Sequence, residues 1–109
     1  MTTISQKNLL NRIKSELTII YGPLLKGVLL FGSEARGTAR EDSDIDVLVL
    51  LDKEVVLSDD MMKISHVIIP IEWELEPHRI IDVTPANNDD YQAGKWPLYR
   101  EVKNEGIAA

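Results

Sequence analysis

Apolar residues follow two rhythms along this chain. Leu9, Ile13, Leu17 and Ile20 recur at three- and four-residue intervals, the period of one helix face. Thr3, with Gln6 three positions on, reads as a capping box at the start of that helix. Gly22-Pro23 ends it. The next apolar runs are short and rich in Val, Leu and Ile. Gly27 to Phe31 and Asp44 to Leu51 read as strands.

The helical rhythm then returns. Ser58, followed by Asp59 and Asp60, looks like an N-cap with acids in the first turn. The helix it opens carries Met61, Met62, Ile64 and Ile68. Pro70 should kink or end it, with extended chain over Val67 to Leu75 as the alternative. Arg79 to Thr84 is a third strand, stopped by Pro85. Asn87-Asn88-Asp89-Asp90 is a turn or a helix start, and Trp96-Pro97 leads into a short helix to about Asn104. The alternation implies an α/β (α+β) unit, a small mixed sheet with helices packed on it. Repeats and low-complexity segments are absent from the sequence.

Composition sharpens this picture in a few places. With 109 residues, 44% of them hydrophobic, residues 1–109 form a single domain with a modest core. No run approaches the roughly 20 apolar residues of a membrane span, and no signal peptide is visible at Met1-Thr2-Thr3. The absence of Cys excludes disulfides and thiolate metal sites and suits a cytoplasmic protein. A net charge of −6, from 18 acids and 12 bases, argues against broad nucleic-acid binding and favours a basic partner. His66 and His78 are too few and too far apart to suggest zinc. Trp73, Trp96, Tyr91 and Tyr99 read as packing or partner-contact residues.

The chemistry concentrates at the first two strands. If Asp44 opens the second strand, Asp44 and Asp46 share one face, roughly 6–7 Å apart, while Ile45 and Val47 face the opposite way. Like charges so close repel unless a cation lies between them. Hard oxygen-seeking cations such as Mg²⁺ suit such a pair, and paired metals are a known device of phosphoryl chemistry. A solvated acidic strand end is the plainer reading. Just after the first strand, Gly32 permits positive φ and close approach of a ligand. Ser33 supplies a hydroxyl, and Arg36 a planar fork suited to a phosphate or a carboxylate. The loop is no Walker A motif, because G-x-x-x-x-G-K-[ST] is missing.

Together, Gly32-Ser33-Glu34-Ala35-Arg36-Gly37, a short polar spacer, Ser43-Asp44-Ile45-Asp46 and an apolar strand resemble the nucleotidyltransferase signature of the DNA polymerase beta superfamily. The likeness is strongest to its small stand-alone branch, the minimal or MNT-type nucleotidyltransferases. The motif covers Phe31 to Leu51, and the layout of the remainder looks similar. The resemblance implies a polymerase-beta-like nucleotidyltransferase fold, with the second long helix continuing to about Leu75.

The resemblance also implies nucleotidyl transfer from ATP or another nucleoside triphosphate to a hydroxyl. Two Mg²⁺ ions would be held by Asp44, Asp46 and a third carboxylate. Asp82 is the candidate for that third position and for general base. It interrupts the apolar run Ile80-Ile81-x-Val83, where a charge needs either solvent or a partner. The alternative is an edge strand with Asp82 facing water; Glu72, Glu74 and Glu76 are weaker candidates. Gly32, Ser33, Arg36 and Ser43 form the expected nucleotide-binding set. The stand-alone branch is typically paired with a helical HEPN protein, and some members act as its antitoxin by adenylylating it. A HEPN-type partner is therefore expected here, and a homo-oligomer is left open. The rival expectation is a nucleotidyltransferase-fold binding module that neutralises its partner by complex formation alone. Transfer to a small molecule is less favoured, because nothing in the sequence looks like an acceptor pocket.

Overall fold

A computed structural model describes residues 5–40 and 43–109. Thr3 of the expected capping box lies outside them. The helix α1 (Gln6–Tyr21) is capped by Ser5, whose Oγ accepts the Asn8 N–H at 3.1 Å. Its buried stripe is Leu9, Leu10, Ile13, Leu17 and Tyr21. Ile20, expected on that stripe, is 40% exposed. Tyr21, one full turn after Leu17, takes the core position instead.

A 3-10 turn at Gly22–Leu24 leads into β1 (Leu25–Phe31). The short helix α2 (Gly32–Arg36) follows, and then β2 (Ile45–Leu51). Strand β1 pairs antiparallel with β2, Phe31 lying opposite Asp46. Helix α3 (Leu57–Glu74) makes the crossover to β3 (Ile81–Asn87), which runs parallel to β2. Helices α4 (Asn88–Gln92) and α5 (Pro97–Glu105) precede a two-residue strand β4 (Ile107–Ala108) on the outer side of β1. The sheet order is β3-β2-β1-β4.

Period-two alternation divides β2 between two cores. Its odd-numbered residues Ile45, Val47, Val49 and Leu51 join Val28, Leu30, Ile81 and Val83 beneath α1 and α3. Its even-numbered Leu48 and Leu50 pack with Ala86, Tyr91 and Val102 beneath α4 and α5. Tyr91 meets Tyr99 edge-on in this second core, at 5.9 Å between ring centres. Asp46 and Asp82 belong to the same face as Leu48, at the end of the strands away from α4. The sheet carries apolar packing along most of its length and acids at one end.

Two local expectations are corrected, at Ser58 and Pro85, and one holds, at Pro70. Ser58 is not the N-cap of α3. The helix begins at Leu57 after Val56 with no side-chain cap on its first turn, and the Asp60 carboxylate accepts the Val56 N–H at 2.9 Å. Helix α3 runs through Pro70 to Glu74, in agreement with the helix to about Leu75 that the resemblance implied. The proline deprives the His66 carbonyl of its helical donor, but both residues are exposed, so water can replace it. Pro85 does not stop β3 either. The parallel ladder opens with Ile45 N–H donating to the Ile80 carbonyl at 2.8 Å, so even-numbered residues of β3 face β2. Pro85, odd-numbered and on an edge strand, turns its nitrogen outward and costs the ladder nothing.

Asp60 is 1% exposed, the one buried charged side chain among the described residues. Tyr21 Oη donates to one carboxylate oxygen at 2.6 Å, and Lys53 Nζ to the other at 2.6 Å. Burial alone would raise its pKa. The bonds from Lys53, Tyr21 and the Val56 amide, with the Lys53 charge, outweigh burial and hold it below the usual carboxylate range. Desolvation and the same carboxylate push the Tyr21 hydroxyl well above its ordinary value. This network joins α1, the β2–α3 loop and the start of α3.

Candidate active site

The site begins where β1 ends. Gly32 has φ +73, a left-handed conformation that L side chains rarely adopt. A Cβ there would also run into the Asp46 carboxylate. Position 32 is thus restricted twice, by backbone conformation and by contact with the acid. Ser33 follows, half-buried, in the first turn of α2. The helix stops at Gly37, left-handed at φ 75, whose N–H bonds back to the Glu34 and Ser33 carbonyls. Thr38 N–H donates to the Ser33 carbonyl at 2.9 Å, completing a tight wrap.

On the other side, Ser43 Oγ accepts the Arg40 N–H at 2.8 Å, and Ser43 N–H donates to the Arg40 carbonyl at 3.0 Å. Asp44 is exposed one step before β2, and Asp46 is half-buried one step inside it. Parallel pairing sets Asp46 beside Asp82, their backbones about 4.8 Å apart as neighbouring strands require. Burial raises the pKa of Asp46, the charges of Asp82 and Asp44 raise it further, and Arg36 draws it back. The structure therefore brings Asp44, Asp46 and Asp82 within electrostatic reach of one another beside Gly32.

Such a set, all carboxylate oxygen with surplus negative charge, is what a hard divalent cation takes. As they stand, no three acidic or histidine side chains among the described residues close around a single point. Asp44 and Asp82 are exposed, and Asp46 is half-buried between them. The residues fit a divalent metal, with Asp46 as the fixed member. Glu72 and Glu74 lie on α3, and Glu76 lies beyond it; none is on the strands that carry these aspartates.

Arg36 is placed differently from a free phosphate fork. Its Nη1 donates to Glu105 Oε1 of α5 at 2.9 Å. The pairing ties α2 to the C-terminal helix. Arg79 was passed over in the sequence because it stands outside both motif halves. Its Nε donates to the Ser43 carbonyl at 2.9 Å, and its Nη2 to Glu34 Oε2 at 2.9 Å. The two side chains of that ion pair are only 15% and 17% exposed. A lone arginine just before a strand is the only sequence trace of this link.

Residues 7–108 match the family model of the nucleotidyltransferase domain. The chain belongs to that family, whose members support transferase chemistry in general. No curated protein matches it. Among solved structures it is similar to a toxin-antitoxin crystallised with AMP-PNP, at 22% identity over 90% of this chain and 69% of that one, TM-score 0.60. A proposed nucleotidyltransferase from Sulfolobus solfataricus is similar at 21% identity over 94% and 82% of the two chains, TM-score 0.54. A protein proposed to be a minimal nucleotidyltransferase shares 24% identity over 98% of each chain, TM-score 0.56. At these identities the likeness is one of fold, and it agrees with the mixed four-stranded sheet. Among the described residues, no helix is long and apolar enough to cross a membrane.

Proposed function

We propose that this chain is a nucleotidyltransferase that moves AMP from ATP to a hydroxyl on a HEPN-type helical partner protein, acting in the cytoplasm as the antitoxin of the pair. The observation that carries the reading is the register of Asp46 with Asp82, with Gly32 pressed against Asp46. The family match and the likeness to a toxin-antitoxin structure with AMP-PNP support it.

Asp44, Asp46 and Asp82 would hold Mg²⁺, which when bound neutralises charge on the triphosphate. Ser33 donates its hydroxyl to the phosphates, while the absent Cβ at Gly32 leaves room beside Asp46. Ser43 closes the loop that delivers Asp44, and Arg36 steadies the turn through Glu105. Asp82, exposed at the rim, accepts the proton of the acceptor hydroxyl. The new bond joins that oxygen to the α-phosphorus, the bond from the α-phosphorus to the bridging oxygen breaks, and pyrophosphate leaves with its electron pair. Positioning and charge neutralisation supply most of the rate.

Incubation with the partner, Mg²⁺ and ATP labelled in its α-phosphate tests this. Label should appear on the partner and vanish with Asp44→Ala/Asp46→Ala. An unlabelled partner, or label indifferent to those substitutions, overturns it.

A second reading is favoured by the engagement of Arg36 with Glu105. Here the fold serves as a neutralising module and turnover is dispensable. In that case the double alanine variant still binds and still silences the partner. Loss of silencing with the complex intact rules it out.

A further inference from the structure

Arg79 stands three residues before Asp82, in the segment that leads into β3. Its guanidinium reaches the two other parts of the site at once. Nε holds the Ser43 carbonyl, immediately before Asp44, and Nη2 holds Glu34, immediately after Ser33. Gln6 adds a second hold on Glu34, its Nε2 donating to the Glu34 carbonyl at 2.9 Å. Among the described residues, no backbone ladder joins α2 to the segment before β2. A planar fork with two fixed donor directions can set both distance and angle between the segments it joins; a lysine, as a point charge, cannot.

We propose that Arg79 is a positioning residue of the nucleotide site. It fixes the Gly32-Ser33 turn relative to Asp44 so that phosphate-side and metal-side groups meet one ligand together. The pair with Glu34 is sheltered from solvent, and cutting it leaves a poorly hydrated charge that shifts the turn. A shift of about 1 Å between binding groups is enough to cost orders of magnitude in a reaction that depends on placement. The inference rests on the nucleotidyl-transfer reading, but it can fail while that reading stands.

The test is the affinity of the whole chain for a fluorescent, non-hydrolysable ATP analogue with Mg²⁺, measured beside a thermal melt. Native protein is compared with Arg79→Gln, Arg79→Lys and Glu34→Gln. Arg79→Gln should weaken binding about tenfold. Arg79→Lys should recover part of the loss, because it keeps the charge without the fork. Glu34→Gln should move affinity in the same direction, and the double variant should be no worse than Arg79→Gln alone. Asp60→Asn serves as the control for stability: it should lower the melting temperature yet leave the affinity of the folded protein unchanged.

Folded Arg79→Gln that binds within about twofold of native overturns the proposal and leaves the transfer reading in place. If Arg79→Gln does not fold, Glu34→Gln decides by the same criterion. A native chain that binds no nucleotide overturns both.

Discussion

Gly32 and Asp46 are in direct contact, with no room for a single methyl group between them. The turn expected to cradle phosphates and the acid expected to hold metal thus form one packed unit. Gly32→Ala should act on both. Positive φ at residue 32 costs about 1 kcal/mol with a Cβ, and the displaced carboxylate adds to it. Loss of transfer should exceed about a hundredfold, well beyond the effect of Ser33→Ala, which removes a single hydrogen bond. Parallel rate and melting measurements on the two variants check the ranking.

Asp46 should trade stability for function. Its folded pKa is raised by burial and by the charges of Asp82 and Asp44, so the charged form is penalised in the native state. For an acid shifted upward, the native state binds more protons than the unfolded chain. The metal-free protein therefore loses stability as pH rises from the unfolded value through the folded one. Asp46→Asn should remove that penalty and stabilise the metal-free chain at neutral pH by about 1 kcal/mol or less, a few degrees in melting temperature. Mg²⁺ should raise the melting temperature of the native chain and not that of the variant. A destabilised Asp46→Asn would contradict the argument.

Asp82 is the exposed counterpart. Exposed and outside both cores, it should tolerate Asp82→Asn, with a melting temperature held or slightly raised as its repulsion of Asp46 is relieved. If it draws the acceptor proton, transfer should fall roughly 10²–10⁴-fold. Retention of the native rate would remove Asp82 from the reaction and favour the module without turnover.

Asp60 lies far from this chemistry and governs stability. Asp60→Asn leaves Lys53 without its partner and weakens the bonds from Tyr21 and Val56, at a cost of about 2–4 kcal/mol. Its folded pKa is depressed, so the stabilisation is present above the unfolded carboxylate value and disappears as pH falls through the folded one. Acid unfolding below about pH 4 should be steeper in the native chain than in Asp60→Asn. Denaturant titrations at several pH values measure both effects.

The sequence carried the elements whose cause is local. Alternation in Asp44 to Leu51 was enough to separate core residues from acids, and the gap in Ile80-Ile81-x-Val83 marks Asp82, which stands exposed on an edge strand as the alternative reading had it. The pairing of Asp46 with Asp82 comes from strand register, and register is set by packing across the sheet. Arg79 and Glu34 could not be singled out because the bonds of Arg79 to Ser43 and Glu34 span 36 and 45 residues, and the bond from Tyr21 to Asp60 spans 39. Val56 shows the limit from the other side. A valine is a poor N-cap by propensity, yet the helix begins after it, with the Val56 N–H held by the Asp60 carboxylate. Pro85 was misjudged because its effect depends on which way one nitrogen points.

That nitrogen has a further consequence. Along the outer side of β3, the outward N–H groups of Ile81 and Val83 are followed by Pro85, which has none, so a stray strand finds a ladder that gives out after two rungs. At the opposite margin, β4 is two residues long. Neither border can template much more sheet.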